Sequence, residues 1–434
     1  MIGFSLSLIT ILVCLTQSLS IRHPLFRLII AFFVGLYGLQ LLMAIWDPYN
    51  IFEISTPVIF VYNLQIIFFV VGAKFFVKTK SENKESLSRE SFYWPQIKIG
   101  LPLTIIISYL LYYSIQNYLK MQVMMTVFGN DTQQVRGYFY EEFFSSYTSA
   151  TFHSIITSFQ YIAYFISFTK LFSLQQKLKF TDYYFIIATV SVLVLSSLTS
   201  AGRADFLALV FVLLFFVLVC RVYDINSYKK RVIPIIGISI GVFAVVLVMT
   251  TMLRANLTEI DNNEIGDLFV KPFAIYFYAP VLAFDYGKDT ILNYGHLYCG
   301  GAVFAGFWDF LITPFVVLDH SFMDLSMNGV LGSRMTPYFT FPHGQTWNAL
   351  FTGCSNYYID FWYFGFIIYP FLHGYVMGKL VYLMKRHLGI FILLSYFFFC
   401  SYKHIVSLGI QSMEVVFVII WIIVSLKFKI IRFK

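Results

Sequence analysis

The chain alternates between long apolar runs and mostly short polar connections. Eleven runs are close to 20 residues, the length that an α-helix needs to cross a bilayer. Membrane β-barrels alternate instead over strands of about 10 residues. The pattern therefore predicts an all-α polytopic membrane protein with about 11 transmembrane helices. The runs lie near residues 2–20, 25–45, 55–77, 99–118, 146–169, 182–199, 204–221, 232–252, 361–384, 388–402 and 410–426.

Basic residues are distributed unequally between the two sides that these alternating runs define. One side carries 22 of the 30 lysine and arginine residues, and the other carries 8. Lys and Arg accumulate in cytoplasmic connections, so the richer side is predicted to face the cytoplasm. The N-terminus is then outside and the C-terminus inside. No positive residue precedes the first run, so we interpret it as a retained helix, not a signal peptide.

One connection, residues 253–345, is far longer than the others and is predicted to lie on the outer side. It divides the chain into transmembrane helices 1–8 (1–252), a long outer segment (253–345) and C-terminal transmembrane helices (346–434). The segment is acidic and aromatic. Its stretches Leu268–Tyr286 and Gly300–Leu318 are apolar enough to lie in the membrane interface or to dip partly into the membrane. Long ordered connections are usually functional.

Composition excludes several protein classes. Hydrophobic residues make up 59% and charged residues 12% of the chain, whereas soluble domains have about 25% charged residues. Mean hydropathy is +0.75. These values exclude a soluble globule, a disordered chain and a disulfide scaffold. The net charge of +8 follows from the topology, so no nucleic-acid partner is expected.

The cysteine and histidine residues do not form a metal-binding pattern. The five cysteines show no CxxC or CxxH spacing, which argues against a zinc site. Cys299 and Cys354 are both predicted on the oxidising side and have the option of pairing, although a buried free cysteine is the commoner state. We expect neither a metal nor a cofactor.

Arginines on the outer side are the most informative charged residues, because topology does not explain them. Arg203 follows a small-residue turn and opens a helix together with Asp205, and helix N-termini favour anions. Arg254, Arg136 and Arg334 lie in separate outer segments. Such a set suits one polyanionic headgroup, since guanidinium groups bind phosphate in bidentate geometry. The simpler alternatives are local ion pairs and interfacial anchors.

A second group of polar and aromatic residues follows the long segment. Its histidine is suited to general-base chemistry near neutral pH. The amides and the carboxylate suit hydroxyl groups, and the aromatic rings suit sugar faces, although an interfacial aromatic belt is the simpler interpretation. The residues are His343, Gln345, Trp347, Asn348, Tyr357, Tyr358 and Asp360.

These features together resemble a known family. An eleven-helix plan with a long outer segment before the last three helices resembles the bacterial O-antigen polymerases (Wzy-type oligosaccharide repeat-unit polymerases). The turn 200–203 is similar to the arginine motif that opens a middle helix in that family. The stretches 346–352 and 358–361 resemble its Asn/Thr segment and the following Asp-Phe-Gly-like run. Here Trp362 replaces the expected glycine, and a glycine comes at 365.

The resemblance implies a GT-C-like glycosyltransferase at the periplasmic face of the bacterial inner membrane. Such an enzyme moves a growing glycan from undecaprenyl pyrophosphate onto a new lipid-linked repeat unit, and a membrane protein that regulates chain length is a possible partner. Fixed arginines would stabilise the departing pyrophosphate without a metal. Arg203 and Arg254 are the first candidates, followed by Arg136 and Arg334.

The acceptor side of this reaction has its own candidates. His343 is the predicted base, with Asp360 as the alternative, and attack opposite the leaving group would invert the anomeric centre. The candidates for binding the acceptor sugar are Gln345, Trp347, Asn348 and Tyr358.

Two alternatives stay open. A transporter or flippase for lipid-linked sugars would perform no chemistry, but no internal repeat of the kind common in transporters is evident. An O-antigen ligase would share the donor and transfer the glycan to a lipid A core.

Overall fold

The computed structural model describes most of the chain. The described residues are 2–81, 94–128, 135, 138, 147–172, 178–199, 204–223, 233–234, 237, 241, 245, 271–335, 338–341, 346–348, 354–384, 387–406, 413–428 and 430–433. Helices predominate among them, and two short antiparallel strand pairs accompany the helices.

The described helices follow the apolar runs closely. The first seven are α1 (Ile2–Leu19), α2 (Pro24–Trp46), α3 (Thr56–Ser81), α4 (Leu101–Val127), α5 (Tyr147–Phe172), α6 (Phe180–Thr199) and α7 (Ala204–Tyr223). The next three belong to the long outer segment, namely α8 (Lys271–Gly287), α9 (Ala305–Leu318) and α10 (Met327–Met335), with a 3₁₀ turn His320–Leu325 between the last two. The last four are α11 (Cys354–Phe361), α12 (Gly365–Leu383), α13 (Leu388–Val406) and α14 (Glu414–Lys427), and a 3₁₀ turn Trp362–Phe364 joins α11 to α12.

The described residues confirm the prediction of an all-α membrane protein. Ten of the eleven apolar runs coincide with helices, and most of the run 232–252 lies outside the described residues. Among the described residues, six helical segments are long and apolar enough to cross a bilayer: Ile2–Leu19, Pro24–Trp46, Thr56–Lys78, Thr151–Phe172, Phe180–Thr199 and Cys354–Leu383. The full number of crossings stays a prediction.

The chain forms two compact units, and both are discontinuous in sequence. Unit 1 contains residues 1–91, 273–394 and 403–413, and unit 2 contains residues 92–272, 395–402 and 414–434. Unit 1 therefore combines the first three helices with most of the long outer segment and with α11 and α12.

Helices α3 and α12 of unit 1 pack with their backbones in direct contact. A side chain at Gly72 would overlap the carbonyl oxygen of Phe371, and one at Gly374 would overlap that of Phe69. Small residues permit this close approach between membrane helices. The rings of Phe33 and Phe69 lie 5.3 and 5.1 Å from the ring of His373 beside this contact.

Several buried polar side chains in unit 1 donate hydrogen bonds to other side chains or to the backbone. Gln40 donates to the carbonyl oxygen of Phe277 at 3.0 Å. That turn of α8 lies next to Pro280, which has no N–H for the helix ladder. The amide of Asn63 donates to Ser7 at 2.9 Å. Internal hydrogen bonds of this kind are needed where no water is present.

Unit 2 has an aromatic core and a buried ion pair. The ring of Phe216 lies within 5.5–5.7 Å of three phenylalanines on α5. Lys170, near the end of α5, pairs with Asp182 at the start of α6 at 3.1 Å, and both side chains are buried. Asp182 also accepts the Lys179 N–H at 2.9 Å, which caps α6. The ion pair therefore links the end of α5 to the start of α6.

A short strand pair in unit 2 joins distant parts of the chain. Strand β1 (Pro95–Ile97) pairs antiparallel with β4 (Ile431–Phe433), and Gln96 is opposite Arg432. Both segments are predicted to be cytoplasmic from the distribution of basic residues. The pairing is consistent with that prediction, because residues that pair must lie on one side of the membrane.

Candidate functional site

The predicted site residues divide into those that the structure describes and those that it does not. Arg334 lies in α10, Trp347 and Asn348 lie in a short strand, and Tyr358 and Asp360 lie in α11. The predicted site residues Arg136, Arg203, Arg254, His343 and Gln345 lie outside the described residues. Whether the arginines converge on one pocket therefore stays a prediction.

The first stretch of the family-like motif forms one arm of a β-hairpin. Strand β2 (Tyr338–Thr340) pairs antiparallel with β3 (Thr346–Asn348), with Thr340 opposite Thr346. Phe341 directly follows β2 and is buried. Its ring lies 5.9 Å from Phe52 and 5.5 Å from Tyr286. Phe341 thus attaches the hairpin to the C-terminal turn of α8.

The second stretch of the motif contacts the same turn of α8. Tyr358 packs edge-to-face against Phe284, with ring centroids 5.6 Å apart. It also lies within electrostatic range of Lys288 and Asp289. The last turn of α8 therefore contacts Tyr358 of the second stretch and Phe341 of the hairpin that contains part of the first.

Tyr358 itself is not an open stacking surface. It is only 9% exposed, and Tyr363 covers it at a centroid distance of 5.3 Å. Aromatic side chains that are exposed here include Tyr363 at 39% and Trp362 at 51%. These neighbours have more exposed ring surface than Tyr358, the residue predicted from the motif.

A charged cluster occupies the end of α8. Lys288 donates to Asp285 at 2.7 Å and lies 3.3 Å from Asp289. The backbone N–H and the hydroxyl of Ser55 also donate to Asp285, so this carboxylate caps α3. Burial lowers the pKa of Lys288, but its hydrogen bonds to the two aspartates and their negative charges raise the pKa above its usual range.

Asp360 is fully buried, and its carboxylate is already bound. It accepts the backbone N–H groups of Ala302 at 2.8 Å and Val303 at 3.0 Å, and the hydroxyl of Tyr369 at 2.8 Å. The N–H groups come from the segment that leads into α9. These contacts favour a role in holding this segment against α11, and they leave little access for an acceptor hydroxyl.

Asp309, in α9, also accepts backbone N–H groups from the start of another helix. Its carboxylate accepts the N–H groups of Met327 and Asn328 at the start of α10, and the side-chain amide of Asn328. Burial raises the pKa of Asp309, and these hydrogen bonds oppose that effect. Asp47 similarly accepts the Phe52 N–H and the Tyr278 hydroxyl. Asp309 in the outer segment and Asp47 in the α2–α3 connection are therefore both engaged in structural contacts.

Trp362 has a backbone conformation that normally favours glycine. Its φ is 49°, in the left-handed region where side chains other than those of Gly, Asn and Asp are uncommon. This is the position at which the resembled family has glycine. The turn that a glycine would permit is thus present here despite the tryptophan.

Sequence reasoning did not single out Lys288, Asp289 or Tyr363. Lys288 and Asp289 directly follow a stretch interpreted as interfacial, so their charges suggested no site. Tyr363 resembled an ordinary residue of the interfacial aromatic belt. Cys299 and Cys354, for which pairing was an option, are both free, and Cys354 donates to Gln65 at 3.0 Å. Among the described residues, histidine, cysteine and carboxylate side chains do not gather in groups suited to a metal ion.

Searches against family models, curated proteins and solved structures find no match to this chain.

Proposed function

We propose that this chain is a membrane glycosyltransferase of the O-antigen polymerase type, with eleven crossings and a GT-C-like arrangement. The observation that carries the proposal is that the β2–β3 hairpin and α11 contact the same turn of α8. Phe341 of the hairpin packs against Tyr286, and Tyr358 packs against Phe284. The second stretch that resembles the family and the hairpin that contains part of the first therefore share a contact surface in unit 1.

The chemistry of the donor suits the arginines on the predicted outer side. When the sugar–phosphate bond breaks, negative charge develops on the leaving pyrophosphate. Arg203 and Arg254, followed by Arg136 and Arg334, would stabilise that charge without a metal, because a guanidinium group is always charged and binds phosphate oxygens in pairs. The undecaprenyl chain would stay in the surrounding bilayer.

On the acceptor side, the contacts of Asp360 favour His343 as the base. The base takes the proton of the acceptor hydroxyl as that oxygen attacks the anomeric carbon. The Asp360 carboxylate already accepts three hydrogen bonds, whereas a histidine titrates near neutral pH. Gln345, Trp347 and Asn348 are the proposed sugar-binding residues, and the exposed Tyr363 and Trp362 add ring surface nearby.

The sharpest cellular test is replacement of Arg203. We expect Arg203→Ala and Arg203→Lys to abolish long glycan chains in cells that contain a normal amount of the protein. Arg22→Ala is the matched control, because Arg22 is exposed next to α2 at the predicted cytoplasmic side. Normal chain lengths in the Arg203 variants would remove this residue from the mechanism.

A purified system separates the proposed activity from its alternatives. Reconstituted protein is supplied with undecaprenyl-pyrophosphate-linked repeat units alone. A ladder of longer lipid-linked glycans supports a polymerase, whereas no new glycosidic bond contradicts it. Addition of a lipid A core acceptor then identifies a ligase, and movement of the unmodified lipid across the bilayer identifies a transporter.

A further inference from the structure

Helix α9 has an inverted distribution of polar and apolar side chains. Its exposed residues are apolar and recur every three or four positions, whereas its charged residue, Asp309, is buried at 2% exposure. A helix in water would show the opposite pattern. The exposed stripe consists of Phe304, immediately before the helix, and Trp308, Leu311, Phe315 and Leu318.

The one polar group on this stripe does not need water. The indole N–H of Trp308 donates to the carbonyl oxygen of Leu325 at 2.9 Å. Thr313, a polar residue of the helix, donates to the Asp309 carbonyl oxygen. The stripe therefore presents hydrocarbon and aromatic carbon to its surroundings, and apolar patches of this extent are uncommon on proteins surrounded by water.

The ends of α9 argue for an orientation in the membrane plane. The helix has 14 residues and is about 21 Å long at 1.5 Å per residue, well short of a bilayer core of about 30 Å. Its N-terminal side is tied to α11 through Asp360. Its C-terminal side leads to Asp319 and Asp324, which are both exposed. Exposed carboxylates are costly inside the hydrocarbon, so an orientation with this end inserted is disfavoured.

We infer that α9 lies flat at one face of the bilayer, with the stripe turned toward lipid acyl chains and Asp309 turned toward the protein. Phe322 and Met323 of the following 3₁₀ turn are exposed and extend the apolar surface. The sequence left open whether this stretch lies in the interface or dips into the membrane, and the side-chain pattern together with the exposed aspartates decides for the interface. The inference is independent of the proposed glycosyltransferase activity.

Spin-label accessibility in the full chain tests this inference. The background variant is Cys299→Ser, because Cys299 is exposed and the other four cysteines are buried. Labels are placed singly at Leu311→Cys and Leu318→Cys in protein reconstituted into phosphatidylcholine–phosphatidylglycerol vesicles. We expect both labels to be accessible to molecular oxygen, protected from a water-soluble nickel chelate, and within a few ångströms of the same shallow depth.

Ser321→Cys is the matched control, because Ser321 is an exposed polar residue between the exposed carboxylates of Asp319 and Asp324. Its label should show the reverse accessibility. Water-facing labels at Leu311 and Leu318 would overturn the inference, and so would labels protected from both reagents, since a protein surface would then cover the stripe. A depth difference near 10 Å between the two labels, the rise of seven helical residues, would indicate an inserted helix and would also overturn it.

Discussion

Three aspartates of unit 1 each bind the beginning of a helix other than their own. Asp285 binds the start of α3, Asp360 binds the segment that leads into α9, and Asp309 binds the start of α10. The first N–H groups of a helix have no partner within the helix, and its N-terminal end attracts negative charge. Asp285 and Asp309 of the outer segment therefore have structural roles.

Replacement of Asp360 tests whether it holds the structure or performs chemistry. In Asp360→Asn, the side chain keeps its shape but places an NH₂ group against backbone N–H donors. We expect a loss of about 1–3 kcal/mol of stability, the usual penalty for buried groups left without a partner. The measurement is thermal unfolding of the purified protein in detergent, followed by thiol exposure or fluorescence.

Asp319→Asn is the matched control for this experiment. Asp319 also caps a helix start, at Ser321, but it is exposed, so its replacement should change the unfolding temperature far less. If Asp360→Asn unfolds like the wild type yet forms no glycan, Asp360 is the base and the structural interpretation is wrong.

Lys288 gives a prediction for alkaline pH. Its pKa is raised in the folded protein, so its contribution to stability is fully present below the ordinary value near 10.5 and is lost as the pH rises through the folded-state value. We expect Lys288→Met to be less stable than the wild type at pH 8 by about 1–3 kcal/mol. Thermal unfolding between pH 8 and pH 12 should show this difference shrinking above pH 10.5.

Lys179→Met serves as the control, because Lys179 is exposed and its ammonium group stays in contact with water in the folded protein. A difference between Lys288→Met and the wild type that stays constant up to pH 12 would contradict the role of the ion pairs with Asp285 and Asp289.

At the residue scale, the sequence indicated which residue types matter but not their partners. Ser55 and Asp285 are 230 positions apart, and no local pattern connects them. Tyr358 was a reasonable stacking candidate from its motif, but burial depends on neighbours such as Phe284 and Tyr363, which only the tertiary structure brings together.

At the element scale, the glycines between α3 and α12 are the most sensitive positions. Gly72→Ala and Gly374→Ala each place a methyl group onto a backbone carbonyl of the opposite helix. Backbone atoms cannot move aside as a flexible side chain can, so we expect a loss of at least about 1–3 kcal/mol. Size-exclusion profiles and thermal unfolding in detergent measure this effect.

Gly35→Ala on α2 is the matched control, since a methyl group there meets no atom within 4 Å. It should be neutral or stabilising by up to about 1 kcal/mol, the ordinary gain of alanine over glycine in a helix. Equal behaviour of Gly35→Ala and Gly72→Ala would argue against close packing of α3 and α12.

Hydropathy predicted the helices well because lipid-facing and core-facing residues are both apolar. Hydropathy misplaces a helix boundary where buried polar residues occur inside a helical segment. The apolar run was predicted to begin at 361, but the helical segment begins at Cys354. Hydropathy missed its first turns because Ser355 and Asn356 are polar, although both are buried. Such residues find partners inside the protein, as when Asn356 donates to the Ala302 carbonyl oxygen.

At the scale of the whole molecule, contacts within each unit join segments that were predicted on the same side. The α2–α3 connection, the end of α8 and the β2–β3 hairpin meet in unit 1 through Ser55, Asp285 and Phe341. All three were predicted to be outside. This agreement supports the alternation of the helices, while the identity of the cytoplasmic side stays a prediction.

Thiol labelling tests that orientation. Cys299 is the exposed cysteine and is predicted outside, so a membrane-impermeant maleimide should label it in intact spheroplasts. Lys179→Cys in a Cys299→Ser background is the control at the predicted inner side, and it should react only after permeabilisation. The opposite pattern would invert the topology and move the proposed site to the cytoplasm.

For three of the four arginines, the predicted role rests on the sequence alone, because they lie outside the described residues. Arg136, Arg203 and Arg254 are predicted on the outer side by the distribution of charge, but convergence on one pyrophosphate depends on tertiary packing over long sequence separations. The sequence predicts the side of the membrane for each of them, and a common pocket is a separate hypothesis.

The discontinuity of unit 1 has a consequence for biogenesis. A ribosome releases α1, α2 and α3 into the membrane before it translates residues 92–272 of unit 2, and only then supplies α8, α11 and α12. Until that moment, Gln40 and Gln65 lack the contacts with Phe277 and Cys354 that they make in the folded unit. The first three helices are therefore in the membrane before these polar contacts can form. A gene divided in the connection after α3 should therefore yield two fragments that reassemble when they are produced together.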